Sequence, residues 1–166
     1  MRKHFPKIVT LLAGVGVSGW LFASGGSSLP TVDNAPWREE CGSCHLAYHP
    51  AFLPERSWRR MMADLDHHFG ENAGLDAATA RQIEGFLTAN AADRGGAKRG
   101  RKIAASIPHG KTPLRISETP WFVRKHDEVR ADVWQRKSVG SAANCAACHP
   151  AAEKGRFDEH DIRVPR

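Results

Sequence analysis

All four cysteines of the chain fall in two five-residue runs, Cys41-Gly42-Ser43-Cys44-His45 and Cys145-Ala146-Ala147-Cys148-His149, and this restricts what the chain can fold around. A disulfide inside either run would close only a tiny loop and would staple nothing distant. The order Cys-x-x-Cys-His serves another chemistry. Two thiols one helical turn apart can add to the two vinyl groups along one edge of a porphyrin, and the next residue then swings its imidazole under the ring to reach the iron. Half a zinc site or a redox dithiol can also begin with Cys-x-x-Cys, but a tetrahedral zinc needs one more ligand near each triplet. Two runs that use every cysteine favour two haems, with Cys41, Cys44, Cys145 and Cys148 as attachment points and His45 and His149 as proximal ligands.

The N-terminus points to an oxidising compartment. Arg2, Lys3 and Lys7 precede an apolar run over 8–23, which closes on the small-x-small sequence Ala23-Ser24-Gly25 that an export peptidase accepts. Sixteen residues that include Gly14, Gly16 and Gly19 are marginal for crossing a bilayer, which takes roughly 20 apolar residues. Residues 1–25 therefore read first as a cleaved signal peptide and second as an uncleaved anchor. Either reading exports the rest of the chain.

What remains is poor in core-forming residues. Leu, Ile, Val and Phe make up 23 of the 141 residues after position 25, below the level of about one-fifth at which a chain struggles to bury enough apolar surface. A haem in each half would supply the missing apolar material. The 166 residues allow one or two small domains and exclude a large two-domain enzyme. The formal net charge of +6 includes three basic residues of the signal. Each ferric haem brings a charge of about −1, so the exported, oxidised protein sits near neutrality and nucleic-acid binding finds no support.

Two helix patterns offer sixth ligands. Pro54 lies in the first turn of a helix whose apolar stripe is Trp58, Met61, Met62, Leu65 and Phe69; His68 falls on the edge of that stripe and His67 opposite it. Thr119 and Pro120 open a second helix, with His126 inside the stripe of Phe122, Val129 and Val133. His68 follows His45 by 23 residues and His126 precedes His149 by 23, which weakly supports one haem clamped within each half. Met61 and Met62 leave His/Met ligation of the first haem open. His160 lies in an acidic segment and could stand in for His126, whereas His49 and His109 read as surface residues.

The expected architecture is mainly α, cytochrome c-like, with two small haem-bearing helical lobes joined by long loops. The first lobe spans 30–92 and includes a helix near 76–91, with Asp76 as N-cap and Ile83, Phe86 and Leu87 on its buried side. The second spans 113–166 and includes a helix around Cys145 that ends near Gly155. Between them, 93–112 holds Arg94-Gly95-Gly96-Ala97-Lys98-Arg99-Gly100-Arg101-Lys102, which lacks periodicity and reads as an exposed basic linker, with docking of an acidic partner as its functional reading. Trp37, Trp58, Trp121 and Trp134 are expected to pack on haem or in the core.

Several separated motifs, in order, resemble the exported dihaem cytochrome c family. They are the run from Trp37 through Cys41, Cys44 and His45 to Tyr48, then Leu53-Pro54 with Trp58, His68-Phe69-Gly70 with Ala73, the His126 segment, Cys145 to His149 with Ala151 and Ala152, and Gly155 through Phe157 to Asp161-Ile162. The resemblance implies a periplasmic electron carrier with both haems bound by two histidines, and it places ligands at His45, His68, His126 and His149. It further implies a membrane cytochrome b as electron donor and a small soluble oxygen-binding haem protein as acceptor. A carrier needs no catalytic residue. The rival class is a peroxidase-like dihaem enzyme or a gas sensor in which one distal ligand detaches.

Overall fold

Asn34 opens the first helix, α1 (Ala35–Gly42), by accepting the Trp37 backbone N–H on its side chain, with Pro36 where a missing N–H costs nothing. The computed structural model describes residues 29–166. Residues 1–25, expected to act as a signal peptide or anchor, lie outside the described residues. Five further helices follow: α2 (Glu55–Met62), α3 (Ala77–Ala89), α4 (Lys98–Ser106), α5 (Pro120–Lys125) and α6 (Ala131–Trp134). Short 3-10 turns punctuate the loops between and after them. The fold is helical, and among the described residues the only ladder-like contact is an isolated bridge between His68 and Glu71.

Local chemistry accounts for the helix starts. Asp76 caps α3 by accepting from the N–H groups of Ala78 and Thr79, and Thr119 caps α5 by accepting from Phe122 while donating to the Ile116 carbonyl. Both were expected from the sequence. The helix ends were not. The stripe that ran on to Phe69 breaks at Met62, so His68 lies beyond α2, and the stripe through His126 and Val133 is split between α5 and α6. Around Cys145 two 3-10 turns replace the expected helix, although Gly155 does stop the second of them in the left-handed region, at φ 66°.

Two apolar clusters hold these elements. The first joins α1, α2 and α3 through Trp37, Leu53, Trp58, Ile83, Leu87 and Ala91. Its Trp58 indole N–H finds the Pro50 carbonyl at 2.7 Å, which satisfies the one polar atom of a buried ring. The second cluster draws on widely separated parts of the sequence: Leu29, Ala51 and Phe52, then Ile103 and Ile107, with Trp121 and Phe157 against them.

The middle of that second cluster corrects the reading of 93–112 as an exposed linker without helix. Residues 98–106 form α4, whose Gly100 and Ile103 are buried while Lys98, Arg101 and Lys102 stay in solvent. A Cβ at Gly100 would stand 3.0 Å from the Ala92 carbonyl oxygen, so the absence of a side chain is what lets α4 lie close to the first half. The helix bridges the 3-10 turn at Pro50–Phe52 and α5, and joins the halves as a packed element.

Ile103 is 1% exposed and its loss opens the seam between the halves. Ile103→Ala is expected to destabilise the haem-loaded protein by about 2–5 kcal/mol in denaturant melts, whereas Lys102→Ala, one residue away and exposed, stays within about 0.5 kcal/mol of the parent.

Candidate functional site

The first cysteine run begins inside α1. Cys41 sits in its last turn, and Ser43 caps the helix end and returns its hydroxyl to the Glu40 carbonyl at 2.8 Å, which turns the chain toward Cys44 and His45. The His45 ring N–H at Nδ1 donates to the Leu46 carbonyl at 2.8 Å. That bond fixes the tautomer and leaves the lone pair on Nε2 for a metal. The Tyr48 ring stacks on the same imidazole, with centroids 4.9 Å apart and planes at 25°. Burial, with the Cys145 thiol behind it, pushes the Tyr48 phenol up to about 12, so it remains an O–H donor.

His68 faces His45 from a different kind of support. After α2 the chain makes a 3-10 turn over Leu65–His67 and then enters the left-handed region at Phe69, φ 56°, and Gly70, φ 104°. A bulky residue at positive φ is strained, and here the strain reverses the chain directly after His68. The turn closes with Glu71 N–H on the His68 carbonyl at 3.1 Å and Ala73 N–H on the Leu65 carbonyl at 2.9 Å. The His45 and His68 rings lie 6.1 Å apart with planes at 21°. His67, by contrast, turns to Asp64 at 2.7 Å. Phe69 is 45% exposed beside His68, with the Arg115 guanidinium 4.0 Å over its ring.

In the second site Cys145 starts a 3-10 turn, and the His149 backbone N–H bonds the Cys145 carbonyl at 2.8 Å, which closes the turn directly before the imidazole. Opposite it, His126 is the residue that ends α5. Its Nδ1–H donates to the Phe122 carbonyl at 2.9 Å and its ring lies on Phe122 at 3.9 Å and 20°, which again frees Nε2. The His126 and His149 rings stand 6.2 Å apart, crossed at 83°. Trp134 flanks His126 and Phe157 flanks His149.

Both separations match one iron between two imidazoles. With metal–nitrogen bonds of about 2.0 Å, a metal held between two imidazoles would place their ring centres about 6 Å apart. Among the described residues no three His, Cys, Asp or Glu side chains converge on a point that could hold a metal. Burial lowers the His68 imidazole, helped by His45 and Arg115, and lowers the His149 imidazole, helped by His126 and Arg99. Neutral imidazole is the ligating form. Burial also pushes the Cys41 and Cys145 thiols up to about 11, opposite to the depressed values of redox dithiols. The residues fit two haems.

The structure thus brings His45 to His68 and His126 to His149, and leaves the other candidates apart. Met61 and Met62 pack against the first apolar cluster, and His160 and His109 are exposed. His49 corrects the surface reading. It is 8% exposed, with Nε2 donating to the Pro30 carbonyl at 2.9 Å and Nδ1 accepting from Ala51 N–H at 3.0 Å, so both ring nitrogens are committed to the fold. The ring and charge contacts of Tyr48, Phe69, Arg99 and Arg115 with the site histidines were not read from the sequence, although Tyr48 lies three residues after His45 and Phe69 directly follows His68.

Comparison with known proteins agrees with this geometry. Residues 37–157 match the family model of dihaem cytochrome c. A dihaem cytochrome c from Rhodobacter sphaeroides is 51% identical over 76% of this chain and 98% of its own, with a TM-score of 0.69. A second structure of the protein purified from the same organism is 49% identical over 77% and 100%, with a TM-score of 0.64. A dihaem cytochrome type c from Shewanella baltica OS155 is 38% identical over 81% and 95%, with a TM-score of 0.67. No curated protein matches the chain.

Each cysteine run should carry its own haem independently. The double change Cys145→Ala and Cys148→Ala is expected to halve the haem-to-protein ratio in a pyridine haemochrome assay, and the residual haem should retain its absorption bands. Loss of both haems would mean that the runs do not act separately.

Proposed function

Because this chain belongs to the dihaem cytochrome c family and carries two covalently bound haem c groups, we propose that it is a periplasmic one-electron carrier whose first haem is held between His45 and His68 and whose second is held between His126 and His149. The observation that supports this most is the pair of imidazole separations, 6.1 and 6.2 Å, each the span of one six-coordinate iron. Each bound haem supplies a metal that changes oxidation state by one electron. The work of the chain is to hold, orient and shield it.

His68 and His126 would each give a bound haem a second imidazole ligand, and peroxide, oxygen or carbon monoxide would then have to displace one of them to bind. The Nδ1–carbonyl bonds of His45 and His126 strengthen their Nε2 atoms as donors and lock their ring planes. Two imidazoles favour a lower potential than a histidine–methionine pair. Export is supported by the basic and apolar pattern of residues 1–25.

For partners, the exposed face of α4 offers Lys98, Arg101 and Lys102, with half-buried Arg99 turned toward His149. That basic face suits an acidic surface on a redox protein. A membrane cytochrome b as donor and a small soluble haem protein as acceptor fit the family resemblance.

Three measurements test this reading. Carbon monoxide added to the reduced protein is expected to leave both Soret bands unchanged; a shift in one would favour a peroxidase-like or gas-sensing function. His68→Met is expected to raise the potential of one haem while the other holds, with both low-spin resonance signals still resolved. A potential that did not move would remove His68 from the first haem. Reversing the charges of Lys98, Arg101 and Lys102 should slow electron delivery and flatten its salt dependence; an unchanged salt slope would move docking elsewhere.

A further inference from the structure

Tyr48 joins the two sites. The chain contains one tyrosine. Its ring lies on the His45 imidazole at 4.9 Å and 25°, and its hydroxyl reaches across 95 positions of sequence to donate to the Ala143 carbonyl at 2.6 Å. The same Ala143 oxygen accepts the Cys145 backbone N–H at 2.9 Å. One carbonyl therefore ties the support of the first axial imidazole to the residue that attaches the second haem.

We propose that Tyr48 is a positioning residue that fixes the two haem sites relative to each other, through its stack on His45 and its hydrogen bond to the Ala143 carbonyl beside Cys145. This rests on His45 and Cys145 holding different haems, as argued above.

The segment it grips has largely local anchors of its own. Ala143 N–H bonds the Ser141 hydroxyl, Asn144 N–H bonds the Ser141 carbonyl, and the Asn144 amide reaches back to the Val139 carbonyl. These shape the turn before Cys145 but leave it unregistered against the first half. The Tyr48 hydroxyl supplies that register. A phenol suits such a brace because its ring is rigid, it has only two side-chain torsions, and its one polar atom sits at the far end. A tyrosine that merely filled space would need a carbonyl partner too, but not one shared with a cysteine of the other haem site.

Phenylalanine at 48 keeps the ring and removes only the bond. In haem-loaded Tyr48→Phe, both low-spin resonance signals and both potentials are expected to match the parent. The rate at which the two haems equilibrate after flash photoreduction should fall several-fold, up to about tenfold, the factor that one lost net hydrogen bond produces in a two-state population. Amide hydrogen exchange over 141–148 should rise by a similar factor. Tyr48→Leu, which also loses the stack, should slow equilibration at least as much and shift the resonance signal of the first haem. Unchanged equilibration and unchanged exchange in Tyr48→Phe would overturn the proposal. The underlying reading fails separately, if the parent protein itself lacks two low-spin signals.

Discussion

The imidazole rings of each pair, 6.1 and 6.2 Å apart between centroids, make only a weak contact with each other, so within the polypeptide itself their facing geometry is set mainly from behind the rings. Behind His45 stand a carbonyl and a tyrosine ring, and behind His126 a carbonyl and the Phe122 ring. His68 depends on a strained turn at Phe69. Much of the surrounding fold serves to place these supports: α1 delivers Cys41, α5 ends where the Phe122 carbonyl can accept a hydrogen bond from the His126 imidazole, and the loop after α2 reverses for His68. Strain at Phe69 is offset by the packing of α2 on α3 and by Arg115 over the ring.

The same constraint explains why so small a protein core suffices. The first apolar cluster rests on two tryptophans and a few aliphatic side chains, each fully buried one contributing about 1.5–3 kcal/mol. The second cluster would be incomplete without Ile103 and Ile107 from the basic middle segment. α4 therefore combines two roles that sequence tends to separate, an apolar seam on one side and a cationic surface on the other.

Single-residue chemistry made part of this legible. Asp76, Thr119-Pro120 and Gly155 act through bonds or torsions within a turn, so their roles survive without knowledge of the rest of the chain. The cysteine runs are similar, since the spacing of the thiols is itself the chemistry. Periodicity was a weaker guide where tertiary structure intervenes. An apolar stripe continues on paper through Met62 to Phe69, but the backbone leaves the helix in between. The histidine that faces His45 gains its position from a left-handed turn that stripe-counting does not register. α4 escaped notice because its glycines and charges hide an Ile103–Ile107 pair, and because Gly100 helps the helix only through its closeness to Ala92. His49 looked superficial since its bond to the Pro30 carbonyl exists only once the chain folds back on itself, while its other partner, Ala51 N–H, lies within the 3-10 turn that His49 caps.

That folding back sets an order of events. Leu29 N–H bonds the Gly155 carbonyl at 3.1 Å, and Leu29 is buried against Ala51, Phe52 and the Ile103 region. A ribosome makes residue 29 long before residue 155, and closing so long a loop is slow compared with forming a helix. The earliest stretch of the described chain must therefore wait, unlatched, until almost the last one exists. Both cysteine runs precede Gly155 in the chain, so in an exported chain both pairs of thiols reach the far side of the membrane before this latch can shut.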